Sequence, residues 1–265
     1  MITKEYKLID GIKVFIDDVP TGHPDYNANS LDKLYTHEEK HFWFITRKEF
    51  ILKNLRKYIK YDDKIIEIGS GTGNISYYLM KNGYTNISNG DIHRKGLKYS
   101  QKYGIKECYQ FDILETPFEN EFDAVLAFDV IEHIENDTKV LQNIYKMLKP
   151  KGKVVITVPA HMWLWSKIDE ISKHKRRYSK KQLKQKLVNS GFRILTINYF
   201  FISITPLLLF RKMIYKKNVK EIEMNISNFI NYSLLIMCRM ENIIHKFLPN
   251  LFGGSIIAVG EKIEF

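Results

Sequence analysis

Short apolar runs alternate with helical periods through the middle of the chain. Five runs follow one another from Lys64: "KIIEIG", "NISNGDI", "ECYQFDI", "FDAVLAFDV" and "GKVVITVP". Runs that are apolar throughout belong to strands covered on both faces, and strands separated by helices predict a parallel sheet wound on both sides. The helical period is plainest over 134–148, where Val140, Leu141, Ile144 and Leu148 share one side and Pro150 and Gly152 close the segment. Ser179 with Gln182 forms a capping box that opens a helix with Leu183 and Leu187 facing inward, and Gly191 ends it. Thr36 with Glu39, in "THEE", reads the same way. Phe44, Ile51, Leu55 and Tyr58 or Ile59 then recur at helical spacing, predicting a helix across one end of the sheet.

Two further strand-like runs, "FRILTINYFF" and "GSIIAVGEKIEF", lie near the end of the chain. Between them, residues 201–252 are aromatic, rich in Leu and Ile, studded with Lys and free of strand alternation. The opening 35 residues hold one short strand-like run around Val14 to Ile16 and a turn-rich stretch with Pro20, Gly22 and Pro24, the mark of a leader and not of a domain. The expected organisation is therefore a leader (1–35), a helical lid (36–60), an α/β core (61–200), a helical insertion (201–252) and a last core strand (253–265).

"IIEIGSGTGNIS" sets Gly69, Ser70, Gly71 and Gly73 directly after a strand and before a helix containing Ile75, Tyr78 and Leu79. Glycines there let the backbone turn sharply and approach a ligand, while the helix N-terminus offers free N–H groups. A dinucleotide fold wants its third glycine one place later, where this chain has Asn74, so G-x-G-x-G favours a different adenosine ligand. Asp91, at the end of the second core strand, is placed to hold a ribose through both hydroxyls. Asp112, closing the third, is placed to accept from an adenine amine.

With "EIGSGTG", "GDI", "FDI", "FDAVLAFDVIEHI" and "LKPKGKVVITVP" all in order, the chain resembles the class I S-adenosylmethionine-dependent methyltransferases over roughly residues 60–200 and the last strand. That resemblance implies a Rossmann-like, seven-stranded, mostly parallel sheet with an antiparallel last strand and S-adenosyl-L-methionine as cofactor. It implies that Glu67, Gly69, Ser70, Gly71, Gly73, Asp91 and Ile92 hold the methionine and ribose, that Asp112 and Ile113 hold adenine, and that Asp129 closes the cofactor-binding set. "EEKHFWFITRKEFI" and "LWSKIDEISKHKRRYSKKQL" also resemble a bacterial subfamily directed at small molecules or lipids. Its leader often carries metal-binding Cys pairs before a phrase like "YKLIDGIKVFI". Here the cysteines are missing and no metal is expected.

The acceptor side falls to the loops after the fourth and fifth core strands. His133 and His161 are the candidate general bases there. Glu132 and His133, adjacent in a helix, would point about 100° apart and form no simple dyad. Trp163 and Trp165 either wall an acceptor pocket or fill core. His174, Arg176, Arg177 and Tyr178, in "HKRRY", form a candidate substrate clamp, because planar guanidinium groups suit phosphate or carboxylate. The lysines after Ser179 read as the wet face of a helix. In "HFWF", His41, Phe42, Trp43 and Phe44 either close over the cofactor or pack as an amphipathic face, with Arg47 one turn away to meet the cofactor's carboxylate.

Charge enters last. The 265-residue chain carries 41 Lys and Arg against 30 Asp and Glu, formally +11, which admits acidic substrates, nucleic acid or an anionic lipid surface. No aromatic stacking platform or RNA-binding module accompanies the charge, so an RNA methyltransferase is the weaker alternative and nucleic acid is not the expected partner. A cofactor-binding module without catalysis is a further alternative. The basic amphipathic stretches in 201–252, with Arg211, Lys212, Lys216, Lys217, Arg239 and Lys246, admit a substrate cap, a homodimer interface or an anionic membrane surface. Cys108 and Cys238 have no paired spacing, "MITKEYKLID" lacks an apolar signal core, and 194–210 is too polar to span a bilayer. These features fit a cytoplasmic protein, with attachment to a membrane surface left open. The function expected is methyl transfer to a small-molecule or lipid- or glycan-linked acceptor, with oxygen favoured.

Overall fold

One nine-stranded sheet organises the computed structural model, which describes residues 1–17, 19, 30–214, 226–244, 247 and 250–264, with the backbone alone for Arg211 and Ile214. The strands are β1 (Lys7–Ile9), β2 (Ile12–Val14), β3 (Ile65–Ile68), β4 (Ile87–Asp91), β5 (Glu107–Gln110), β6 (Phe122–Phe128), β7 (Leu148–Pro159), β8 (Phe192–Phe200) and β9 (Ser255–Lys262). Their spatial order is β1-β2-β5-β4-β3-β6-β7-β9-β8. β5, β4, β3, β6 and β7 are mutually parallel, and β9 enters antiparallel between β7 and β8.

The expected seven strands are all present, but the sheet does not stop at seven. β1 and β2 form an antiparallel hairpin turned by Asp10 and Gly11, both at positive φ, and β2 runs parallel to β5. The leader is thus the edge of the sheet, with Ile12 fully buried. A D-G pair between apolar runs is a two-residue hairpin signal. The expected turns at Pro20, Gly22 and Pro24 lie outside the described residues, as do Lys216, Lys217, Lys246 and the side chain of Arg211.

Alternation along each strand divides the core in two. Ile66, Val125 and Val154 face α5 (Asp137–Met147) and α7 (Lys180–Asn189), while Ile65, Leu126 and Val155 face α2 (Phe42–Leu55). The capping box at Ser179 and Gln182 is present, and Leu183 and Leu187 are fully buried beneath it. The box expected at Thr36 is not. Thr36 lies in the last turn of α1 (Ser30–His37), its Oγ1 donating to the Lys33 carbonyl at 2.9 Å, and α2 is capped by His41, whose Nδ1 accepts from the Trp43 N–H.

The insertion between β8 and β9 holds α8 (Thr205–Ile214) and α9 (Asn228–Ile244). α9 lies along α2. Asn231 Oδ1 accepts from Phe42 N at 2.8 Å, Arg239 pairs with Glu49, and buried Glu241 accepts from the N–H groups of Ile202 and Ser203.

Candidate active site

The carboxyl ends of β3, β4, β6 and β7 collect the residues that carry chemistry, joined by α2 and by the short helix α6 (Lys167–Ile171). The loop after β3 turns through Gly69, Gly71 and Gly73, all at positive φ, into α3 (Asn74–Lys81). A Cβ at Gly73 would come within 2.3 Å of Ser100 Oγ and 2.7 Å of Asn89 Nδ2, so packing beneath the loop demands glycine there. Asp91, buried at the end of β4, accepts from Gly71 N at 2.9 Å and from His93 N at 2.8 Å. Burial pushes its carboxyl up to about 6 against those two N–H donors.

Glu67 sits differently from expectation. Its carboxylate accepts from the Ser76 N–H at 3.0 Å and from the Ser76 hydroxyl, and it is buried between β3 and α3. It therefore braces the glycine loop from below instead of presenting an acceptor to a ligand. Asp112 caps the 3-10 turn Ile113–Glu115 through Leu114 N at 2.8 Å, and both Asp112 and Ile113 stay partly open beside the end of β5. Ile92 follows Asp91, and its carbonyl accepts from Gln110 Nε2 at 3.1 Å.

Arg47 of α2 reaches the far side of this cleft, 2.8 Å from Asp129 Oδ2 and 3.2 Å from Thr157 Oγ1. Asp129 leaves β6 with φ +55, an uncommon conformation for a residue with a side chain and one that clusters at functional sites. Two further acids, Glu39 of the expected capping box and Glu38 before it, tie α2 and its approach to the glycine loop. Glu38 accepts from Thr72 Oγ1 and is pushed up to about 7 by burial. Glu39 accepts from Asn74 Nδ2 and from the buried Lys48. "THEE" carried their signal: two acids before an aromatic helix, of which Glu39 serves as a fastener and not in a capping box.

These residues fit the adenosine ligand that the resemblance implies. Arg47 Nε and Ser70 Oγ are buried and lack a hydrogen-bond partner among the described residues. Buried polar groups are rarely left so without a function. A guanidinium N–H and a hydroxyl beside the helix N-terminus suit an amino-acid carboxylate, and a buried Asp at the next strand end suits a pair of hydroxyls.

On the acceptor side, Glu132, His133 and His174 each offer one atom within 4.8 Å of the others. Residues 131–133 form a turn and not the expected helix, and as expected Glu132 and His133 form no hydrogen-bonded dyad. Glu132 is fully buried, and neither carboxylate oxygen has a hydrogen-bond partner among the described residues. Burial, reinforced by Asp129, raises its carboxyl well above the ordinary range. The His133 and His174 rings meet edge to face at 4.7 Å. His174 Nδ1 lies 2.9 Å from Asp169 Oδ1. Burial opposes ionisation of Asp169, but hydrogen bonds from His174 and Arg177 outweigh it and hold the carboxyl at about 2. An ionised carboxylate can only accept, so Nδ1 donates to Asp169 and Nε2 is the ring nitrogen that Asp169 does not hold.

The arginines of "HKRRY" are not an open clamp. Arg177 donates to Asp169 through Nε at 2.7 Å and Nη2 at 2.9 Å, and Arg176 pairs with Glu135 and Asp137. Tyr178 is buried with its hydroxyl on Asp137 Oδ2 at 2.7 Å. Each has an internal carboxylate within reach, which a loop sequence does not reveal. His161, at φ +58, stacks between Trp163 and Tyr199 with ring centroids 5.0 and 4.7 Å away. Its Nε2 is buried and without a partner among the described residues, and burial and Arg177 lower its pKa. Trp163 is half exposed. Trp165 lines a concavity of about 480 Å³ shared with Leu209, Lys212 and Met213 of α8.

The comparisons with known proteins agree with this layout. The family model of a methyltransferase domain matches residues 28–197. Phosphoethanolamine N-methyltransferase 3 of Arabidopsis thaliana is 30% identical over 109 residues, 37% of this chain and 21% of that protein. Ubiquinone biosynthesis O-methyltransferase of Rickettsia bellii is 26% identical over 120 residues, 42% and 49% of the respective lengths. The chain thus spans half or less of these relatives. Phosphoethanolamine N-methyltransferase 2 of Haemonchus contortus, solved with S-adenosyl-L-methionine, superposes with a TM-score of 0.55 at 20% identity, over 80% of this chain and 52% of that one, a likeness of fold. With a family match over well more than half its length, and with that family's sheet order and glycine loop, the chain belongs to the methyltransferase-domain family, the class I S-adenosylmethionine-dependent methyltransferases.

Proposed function

We propose that the protein transfers the methyl group of S-adenosylmethionine to a hydroxyl oxygen of a small or lipid-linked acceptor, with His174 as general base. The observation that carries this reading is the Asp169–His174 pair, 2.9 Å apart, with His133 and buried Glu132 beside it at the ends of β6 and β7. A hydroxyl needs a proton acceptor when its oxygen attacks carbon, whereas a free amine does not. The relatives include both an O- and an N-methyltransferase, so the histidine pair supplies the preference and not the comparison.

When bound, the cofactor supplies an activated methyl carbon. Gly71, Gly73, Asp91, Arg47 and Ser70 would hold its ribose and amino-acid ends, and Asp112 with Ile113 its base. The remaining work belongs to the acceptor side. Asp169 fixes the tautomer and aim of His174, Arg177 keeps Asp169 ionised, and His174 Nε2 takes the hydroxyl proton as oxygen attacks. Trp165 and the half-exposed Trp163 supply apolar wall, and the Arg176–Arg177 pair, already matched to acids, gives no cationic anchor. This favours an uncharged or amphipathic acceptor over a free acidic metabolite.

The test is release of S-adenosylhomocysteine with a panel of phenolic and aliphatic alcohols set against amines of matched size. His174→Ala should lower kcat roughly 10²–10⁴-fold and leave cofactor affinity unchanged. Turnover of amines alone, untouched by His174→Ala, would remove the assignment.

A further inference from the structure

We infer that the outer faces of α8 and α9 form a docking surface for an anionic lipid bilayer. The protein lies on the membrane with its acceptor side next to the lipid. The inference is independent of methyl transfer, since docking requires no turnover. α9 packs inward through buried Cys238 and the half-buried Leu234, Leu235 and Met237, with Asn231 on the start of α2 and Glu241 on the start of the insertion. The outward stripe carries Phe229, Ile236, Met240 and Ile243 at helical spacing, Phe229 being 82% and Ile243 73% exposed. On α8, Phe210 and Met213 are 60% and 68% exposed. Singly exposed apolar side chains are ordinary, but a stripe of four along one helix face marks an interaction surface.

Charge decides which partner. From 201 to 252 the sequence holds seven Lys and Arg against three Glu. Among the described residues of that span the one acid, Glu241, is buried, and the basic groups are Lys212 and Arg239; the acids beside them from other elements, Glu49 and Glu170, are paired with Arg239 and Lys167. A second copy of a +11 chain would bring like charges together, whereas an anionic surface complements them, each basic side chain near it raising partition about five-fold. α9 has 17 residues, and no described helix is long and apolar enough to cross a membrane, so the helices lie in the interface and do not span it. The surface also meets the acceptor loop. Lys212 Nζ donates to the Trp163 carbonyl at 2.6 Å, and the concavity lined by Trp165 opens against Leu209 and Met213. A lipid-embedded acceptor would therefore have a short route to the ends of the strands.

The test is flotation of the full chain with vesicles of phosphatidylcholine alone and of phosphatidylcholine mixed equally with phosphatidylglycerol, with light scattering in parallel. The expected result is recovery with the anionic vesicles about tenfold or more above the neutral ones, falling as salt shortens the Debye length to ~3 Å. Ile236→Asp with Met240→Asp should abolish recovery while S-adenosylhomocysteine affinity, measured on the same sample, stays that of the wild type. Absence of wild-type recovery on anionic vesicles would overturn the inference. So would a concentration-dependent dimer that these two substitutions dissolve.

Discussion

Asp91 and Asp169 show how position alone separates two identical side chains. Burial raises Asp91 to about 6 with only backbone donors opposing it, while a guanidinium and an imidazole bring Asp169 to about 2. If ionised Asp91 holds the ribose, cofactor affinity is full above the raised value. Calorimetric titration of S-adenosylhomocysteine should then show affinity falling about tenfold per pH unit below 6. An affinity flat down to pH 4 would separate Asp91 from the ligand. For Asp169 the shift is opposite, and its consequence is for stability. Its folded pKa lies below the ordinary 3.8, so its stabilising contribution is complete above that value and is lost as pH falls through about 2. Asp169→Asn leaves the half-buried Arg177 without its counter-charge. It should lower unfolding free energy by roughly 3 kcal/mol in urea at neutral pH, with the gap closing in acid. The glycine turn and the acid that ends β4 are legible in the sequence because glycine spacing and an acid at a strand end are local patterns. The acceptor half is not, because Arg177, His174 and Asp169 meet across a loop whose path depends on three strand ends at once.

At the scale of elements, periodicity finds every core strand and the helices over 137–147 and 180–189, where local preference and burial agree. It misplaces the start of α2. A Thr-x-x-Glu pattern is satisfied equally well by acids fastening a loop, and here Glu38 and Glu39 reach the glycine loop. It also underrates the leader, whose two three-residue strands are too short to stand out from a turn-rich stretch. Yet Ile12 is fully buried among Leu97, Ile105 and Cys108, in a small cluster of its own at the sheet edge. Ile12→Ala should therefore cost about 2–4 kcal/mol in urea unfolding. A loss under about 0.5 kcal/mol would mean that the leader is dispensable to the sheet.

Across the whole molecule, one face of the sheet ends gathers cofactor-side and acceptor-side residues, and α2 is the element common to both. It carries Arg47 to Asp129 and Thr157, and its back holds α9. The insertion is thereby fixed relative to the cleft, which leaves its outer apolar faces at a set angle to the acceptor loop. All of this depends on the cleft holding S-adenosylmethionine or its demethylated product. The direct test is isothermal titration of S-adenosylhomocysteine into the wild type and into Asp91→Ala, with thermal unfolding as the check on folding. The account predicts one site in the wild type and a loss of affinity of roughly tenfold or more in Asp91→Ala, with folding retained. No heat from the wild type, or equal affinity in the two proteins, would contradict it.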